Sequence, residues 1–529
     1  MSMRTLGGGH MPGLDRASAR RYVVNEAGVR LIASPQFRCI PLWLLPATAI
    51  VLLALGLALG LLSDSNIALL LLAMIGIAVL NVVLLRQDEF TAVVVIAIAV
   101  IVDWYRLPPL SVHLPIAATT VALLLVGIIF LTQSPERPWI HVPHLPLWGL
   151  LLFLMLLPMF RGVSLPESIW YYVGTVFNAF LLYIIGVQVA RNASRVHRLF
   201  SFLSGFGTVV AIHALIQVWT GVFLFASPIW NNYLAFVGDY TLAGSQTIRI
   251  GSFLINPDLS GAFLAVMVFI PVGLFLATSS RLVKAIYASE AILILLALLF
   301  TYSTASWLAV GVGLLVFLLL LGRGHRRFYL VVLVLAGLVA ASIFFVFPSQ
   351  IRLLTRHASA PQEWSLREGA WETGLQVIKA HPLTGVGLGL TSYLERAEPY
   401  RVPLQYRPLT HPHDSFLEIA ALAGLPSLAA YLAVLLSALR LVIQNYKKAD
   451  RRQRALFEGA IAALAVLTVN ALASNAWTAL PLVPIPWLIL GALSSPALAQ
   501  ALASGKAVDG ERAYAAPSAM PDMLLAREG

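Results

Sequence analysis

Residues 259–277 read LSGAFLAVMVFIPVGLFLA, nineteen residues without a charge. A bilayer hydrocarbon core about 30 Å thick is crossed by about 17–25 helical residues, so this stretch has the length and content of a transmembrane helix. Runs of the same kind recur outward in both directions along almost the whole chain. Fourteen spans are expected, centred near residues 52, 76, 97, 122, 153, 179, 210, 269, 292, 313, 338, 428, 464 and 491. Composition agrees, since 59% of the 529 residues are hydrophobic and 11% charged, with a mean hydropathy of +0.85. An average globular protein carries about 25% charged residues, and this chain lacks the polar surface of a soluble enzyme. The expected fold class is therefore all-α: a polytopic membrane helical bundle of about 14 transmembrane helices, with a partly helical external loop domain between spans 11 and 12.

The net charge of +11 has two readings, a nucleic-acid footprint or a topology signal. With a cytoplasmic N-terminus, fourteen spans put 25 of the 35 Lys and Arg residues on the inside, and seven of the other ten fall in one long external loop. Long loops cross the membrane with little regard to charge, so topology accounts for the basic balance and no nucleic-acid partner is expected. The single cysteine, Cys39, offers neither a disulfide nor a zinc spacing, and no metal is expected. The resulting organisation is a cytoplasmic tail at 1–40, spans 1–7 at 41–225, an external loop at 226–258 and spans 8–11 at 259–347. A large external loop at 348–413, spans 12–14 at 414–502 and a cytoplasmic tail at 503–529 complete it. Both tails are polar and expected to be disordered. The first lacks the apolar core of a signal peptide, and no internal repeat suggests the halves of a transporter.

Two connections are too long and too apolar to be simple linkers. In the first, Trp230, Tyr233, Phe236 and Tyr240 suit either the interfacial aromatic belt or sugar stacking. They precede RIGSFLINPD, Arg249 to Asp258, where Asn256-Pro257 reads as a helix start. A guanidinium near a helix N-terminus, beside Gly251 and Ser252, favours an anion such as phosphate; an arginine snorkelling to lipid headgroups is the plainer alternative.

The second holds SLREGAWETGLQVIKA, residues 365–380, a helical pattern with Trp371, Leu375 and Ile378 on one face. Arg367 and Trp371 lie one turn apart, within reach of each other. His381-Pro382 ends this helix, and Gly385, Gly387 and Gly389 follow in a sequence that fits a tight loop against another backbone better than a nucleotide fingerprint. The loop closes with HPHDSFLE from His411 to Glu418. Ser415 and Glu418 have capping-box spacing, which starts the next span at Ser415 and sets His413 at its positive end. That position favours a neutral imidazole able to act as a base, and an interfacial or structural histidine is the alternative. His411 shares that alternative, and His213 inside a span suits a helix–helix hydrogen bond.

Four elements in order, R-x-G-S-F-x-x-N-P from Arg249, R-x-x-x-W from Arg367, H-P-x-x-G-V-G from His381 and the span-opening His413, resemble the O-antigen ligase and O-antigen polymerase superfamily over roughly residues 200–445. The resemblance implies a membrane glycosyltransferase that uses a polyprenyl-diphosphate-linked glycan as donor and a glycan, lipid or protein hydroxyl as acceptor. It also implies reaction on the external or periplasmic face of the bacterial inner membrane, without a cofactor. Arg249 and Arg367 then match the arginines that hold the diphosphate, and His413 matches the base. Asp414, Trp371, Ser252, Asn256 and His411 are the candidates for binding substrate. Three positions depart from the family pattern: Thr304 where an Arg is common, Asp414 where Asn is usual, and Leu422 in place of a Glu. A lipid-linked glycan transporter or flippase is the competing class, with Glu290 as its clearest intramembrane ionisable group and Asn81, Asn178, Gln217 and Asn470 read as interhelical hydrogen-bonding residues.

Overall fold

A computed structural model describes residues 22–25, 28–31, 142–220, 249–254, 256–321, 348–358, 361–405, 408–479 and 482–504, with Thr120, Leu123 and Val346. The spans expected near 52, 76, 97 and 338, most of that near 122, and the aromatics Trp230 to Tyr240 lie outside the described residues. So do Asn81, Cys39 and most of both tails. The chain divides into two compact units, Met1–Val79 and Leu80–Gly529. In the first, β1 (Tyr22–Asn25) pairs antiparallel with β2 (Gly28–Leu31). Valine in both strands favours the ladder, and this two-stranded pairing is the only strand structure among the described residues.

The second unit is helical. Its elements are α1 (Leu145–Met159), α2 (Leu165–Tyr171), α3 (Asn178–Val189), α4 (Ala193–Thr220), α5 (Pro257–Ala277), α6 (Arg281–Thr301) and α7 (Thr304–Leu321). They are followed by α8 (Pro348–Ala358), α9 (Pro361–Ala380), α10 (Leu390–Ala397), α11 (Ser415–Lys448), α12 (Arg451–Ala471), α13 (Pro484–Leu493) and α14 (Pro496–Ala503). Between α2 and α3 the helix continues through a π-helical stretch, Tyr172–Phe177, so that Leu165–Val189 forms one span. Among the described residues seven helices are long and apolar enough to cross a membrane, and α13 and α14 form a further apolar pair bent by 40°, which has the composition of a broken span or a re-entrant loop. The protein is a multi-pass membrane protein. The span expected near 153 is α1, fifteen residues long and short of a full crossing.

Helix α5 is the centre of the bundle. Its residues are apolar around the whole circumference, and those from Ser260 to Pro271 are all buried, which suits a helix with protein on every side. Helices α6 and α7, by contrast, leave Leu282, Ile292, Leu308, Leu315 and Leu319 exposed, as lipid-facing surfaces require. Helix α5 approaches α12 closely. A Cβ on Gly273 would lie 2.8 Å from the Ala455 carbonyl oxygen, and one on Gly459 would lie 2.5 Å from that of Phe269. Small residues let the two backbones touch, which in a membrane replaces the missing hydrophobic drive with dispersion contact.

Polar side chains tie the spans together elsewhere. Ser306 donates to Asn470 Oδ1 at 2.8 Å, and Ser204 donates to the Glu290 carboxylate. The clearest candidate for a transport pathway is therefore hydrogen-bonded between α4 and α6. Gly459→Leu should lower stability by about 1–3 kcal/mol or more through overpacking, whereas Leu319→Ala, on an exposed face, should not. Thermal unfolding in detergent compares the two, and equal midpoints would contradict the backbone contact.

Candidate functional site

The short segment before α5 is held from three sides. Ser252 has a left-handed backbone (φ 48°), and its N–H donates to Gln217 Oε1 at 3.0 Å. Its hydroxyl donates to the Val210 carbonyl at 2.9 Å and lies 3.0 Å from His213 Nδ1. The His213 ring stacks on Phe253 with centroids 3.9 Å apart. His213 thus bonds to the segment on top of its helix and not to a neighbouring span. Ser252 is fully buried, and its hydroxyl serves to fasten the segment to α4. Asn256 caps α5, its Oδ1 accepting from the N–H groups of Asp258 (2.8 Å) and Leu259 (3.2 Å). Asn256-Pro257 starts a helix, as its sequence indicates.

Arg249 is placed by this arrangement. It is 8% exposed, its Nε donates to the Thr301 carbonyl at the end of α6 (3.0 Å), and its Nη2 is ion-paired with Asp258. Asp258 is about one-third exposed on the first turn of α5. Its carboxylate lies in the Coulomb field of three site residues: Arg249, Arg367 from α9, and His413 from the turn before α11. Arg249 thus contacts, and Arg367 and His413 lie near enough to influence, one carboxylate that sequence reasoning passed over. Asp258 in Asn-Pro-Asp reads as an acid complementing a helix dipole, and only the fold shows what it faces.

The segment 348–413 supplies the other half. Its helix α9 buries Leu366, Ala370, Thr373, Val377 and Ile378. Leu375 is 46% exposed and so does not belong to the buried face. Trp371 is half-buried; its indole N–H donates to the His413 carbonyl at 3.4 Å, and its ring meets Trp364 edge-on at 5.9 Å. After α9 the glycine loop presses onto α11 where that helix breaks. Gly424 has φ 84° and ψ 166°, and the carbonyls freed there are taken up by the loop: Val386 N–H to Ala421 O (2.9 Å) and Gly387 N–H to Leu422 O (3.0 Å). In return Leu425 N–H donates to Pro382 O at 2.8 Å. A Cβ on Gly385, itself at φ 59°, would fall 2.3 Å from the Leu422 carbonyl carbon.

Helix α11 begins at Ser415 as expected, but the expected capping box does not form. Asp414 is the N-cap, accepting from Phe416 N–H (2.8 Å) and Leu417 N–H (2.9 Å). Ser415 Oγ instead accepts from Trp477 N–H at 3.0 Å, and Glu418 turns inward to accept from the Tyr171 hydroxyl at 2.6 Å. Burial raises the Asp414 carboxyl above its usual range, opposed by the two N–H bonds it receives. His413 directly precedes this cap in a left-handed conformation (φ 54°). Its N–H donates to His411 Nδ1 at 3.1 Å, and the two rings are 4.3 Å apart.

His411 is thus an acceptor at Nδ1. Burial, and next the charge of His413, hold its pKa well below the usual 6.5. Its Nδ1 is also 3.8 Å from Glu418 Oε2, but a neutral acceptor at that distance makes no salt bridge. Among the described residues no group of three or more His, Cys, Asp and Glu side chains is arranged to hold a metal ion.

Residues 290–432 match the family model described as O-antigen ligase. That match supports the O-antigen ligase and polymerase superfamily. No curated protein matches the chain. The matched segment contains Arg367, Trp371, the glycine loop, His411, His413 and Asp414. Arg249, Ser252, Asn256 and Asp258 precede it and reach the same place through the fold.

The depressed pKa of His411 has a defined consequence for pH. Between that value and 6.5 the unfolded chain binds more protons at this residue than the folded one, so the folded state loses stability as pH falls below about 6.5. The thermal midpoint of the wild type should drop more steeply from pH 7 to pH 5 than that of His411→Gln. Parallel curves for the two proteins would contradict the assignment.

Proposed function

We propose that the protein is a membrane glycosyltransferase that moves a glycan from a polyprenyl-diphosphate lipid to an acceptor hydroxyl on the external face of the bacterial inner membrane. The observation that supports this reading is the ion pair of Arg249 with Asp258, a carboxylate that Arg367 and His413 also lie close enough to influence electrostatically. Two guanidiniums and one carboxylate leave a net positive charge where a diphosphate would dock. The acceptor oxygen attacks the anomeric carbon, the bond from that carbon to the diphosphate oxygen breaks, and the acceptor proton passes to His413. Negative charge grows on the departing diphosphate, and preplaced guanidiniums lower the barrier because their orientation needs no change during the step.

Asp258 has a part in this scheme. Its ion pair keeps the Arg249 side chain extended toward the site, and the diphosphate shares that guanidinium with it. Asn256 and Ser252 act at one remove, by fixing the start of α5 and the segment that bears Arg249. Asp414 likewise sets the helix end that follows His413, while Trp371 and His411 bond to the His413 backbone. A polymerase would use the same geometry with the growing glycan as acceptor.

His413→Gln should cut turnover per folded molecule by roughly 10²–10⁴, with binding of a polyprenyl-diphosphate glycan retained. Arg367→Lys keeps the charge but loses the bidentate fork, and should weaken both binding and turnover. Proteoliposomes carrying the lipid-linked glycan, with transfer and binding measured separately, provide the assay. Wild-type rates in both variants would exclude the mechanism.

The proposed face is tested independently. In protein lacking Cys39, Leu383→Cys lies on an exposed turn, at 72% exposure, and should react with an impermeant thiol reagent in intact cells. Reaction only after permeabilisation would reverse the orientation.

A further inference from the structure

At the end of α1 a second cationic site lies apart from the His413 cluster and shares no residue with it. A cavity of about 410 Å³ is lined by Phe160, Arg161, Gly162, His381, Val386 and Arg396. Arg161 donates to the Thr384 hydroxyl, and Arg396 donates to the carbonyls of Arg161 and Val386. These bonds draw both side chains to the same place and use few of the five donors each guanidinium carries. Ion pairing separates these two arginines from Arg249 and Arg401. Arg249 is paired with Asp258 and Arg401 with Glu398, whereas among the described residues neither Arg161 nor Arg396 has a carboxylate within ion-pair range. Two like charges held together by neutral acceptors call for an anion.

The neighbouring surface says which anion. Phe153, Leu157 and Phe160 follow one another at helical spacing on α1 and are 58%, 55% and 68% exposed. They form an apolar stripe that leads up the helix to the cavity mouth. A ligand that satisfies both features has a phosphate at one end and hydrocarbon at the other. We infer that Arg161 and Arg396 bind the phosphate of an anionic phospholipid whose acyl chains lie along Phe153, Leu157 and Phe160. The phosphate takes bidentate hydrogen bonds from the two guanidiniums, and the chains cover the stripe. The lipid would brace the glycine loop, because the Arg396 side chain that binds it also bonds to Val386 O within that loop.

The full-length protein, purified in neutral detergent, is titrated with phosphatidylglycerol, phosphatidylcholine and glycerol 1-phosphate, with bound ligand counted by native mass spectrometry and the thermal midpoint followed. Phosphatidylglycerol should bind and raise the midpoint, and phosphatidylcholine should bind more weakly. Arg161→Gln should lower phosphatidylglycerol affinity about tenfold or more, as expected for losing charged hydrogen bonds. Phe160→Ser, at an exposed site, should weaken phosphatidylglycerol binding and leave that of glycerol 1-phosphate unchanged. Unaltered phosphatidylglycerol binding in Arg161→Gln, or equal binding of the two lipids, would overturn the site. Glycerol 1-phosphate binding as tightly as phosphatidylglycerol, with no effect of Phe160→Ser, would overturn the lipid and leave a soluble anion.

Discussion

The exchange of hydrogen bonds at Gly424 is the constraint on which the placement of segment 348–413 depends. A helix that breaks inside a membrane protein strands carbonyls and amides where water cannot reach them, at a cost of several kcal/mol for each unsatisfied group. Here the glycine loop supplies the missing partners. Val386 and Gly387 serve Ala421 and Leu422, and Pro382 serves Leu425. The loop is thereby registered on α11 to the residue. Because α9 leads into the loop and α11 leads out of the turn bearing His413, this register also sets Arg367 relative to His413. Leu388 extends the attachment to α1, its N–H donating to Pro158 O at 3.2 Å, and its carbonyl accepts from Ser168 of α2.

The cationic site is assembled from two parts with different origins. Arg249 and Asp258 belong to the bundle and are fastened to α4, α5 and α6, whereas Arg367 and His413 belong to the segment 348–413. Two guanidiniums near one another repel, and the Asp258 carboxylate, ion-paired with Arg249, compensates part of that charge.

The apolar runs made the bundle legible, because nineteen uncharged residues have few other destinations. What the sequence did not disclose depends on partners distant along the chain. Ser415 and Glu418 have capping-box spacing, yet Tyr171, 247 residues earlier, draws Glu418 inward and leaves Asp414 as the cap. Leu375 reads as a core position on a helical wheel but faces outward, since α9 packs through Ala370, Thr373 and Val377. The bend between α13 and α14 gave no hydropathy signal because both arms are apolar. Of the site, Arg249, Arg367 and His413 were recognisable through family motifs. Asp258 was not, since its local context already explained an acid at a helix start. The glycine loop was legible as a close backbone approach, though its partner was not.

The π-helical stretch between α2 and α3 bears on how this span can change. One inserted residue turns an α-helix by about 100°, so a bulge of this kind lets the two ends of a span be phased independently. Tyr171 on one side of it meets Glu418, and Tyr183 on the other meets Ser494. A homologous span without the extra residue could keep only one of these alignments. The bulge therefore records, in the geometry of a single helix, that its two ends answer to different parts of the protein: the N-terminal end to the first turn of α11, and the C-terminal end to the bent pair α13 and α14. Deletions that are harmless in a uniform span would here rotate one neighbour out of register while leaving the hydropathy of the segment unchanged.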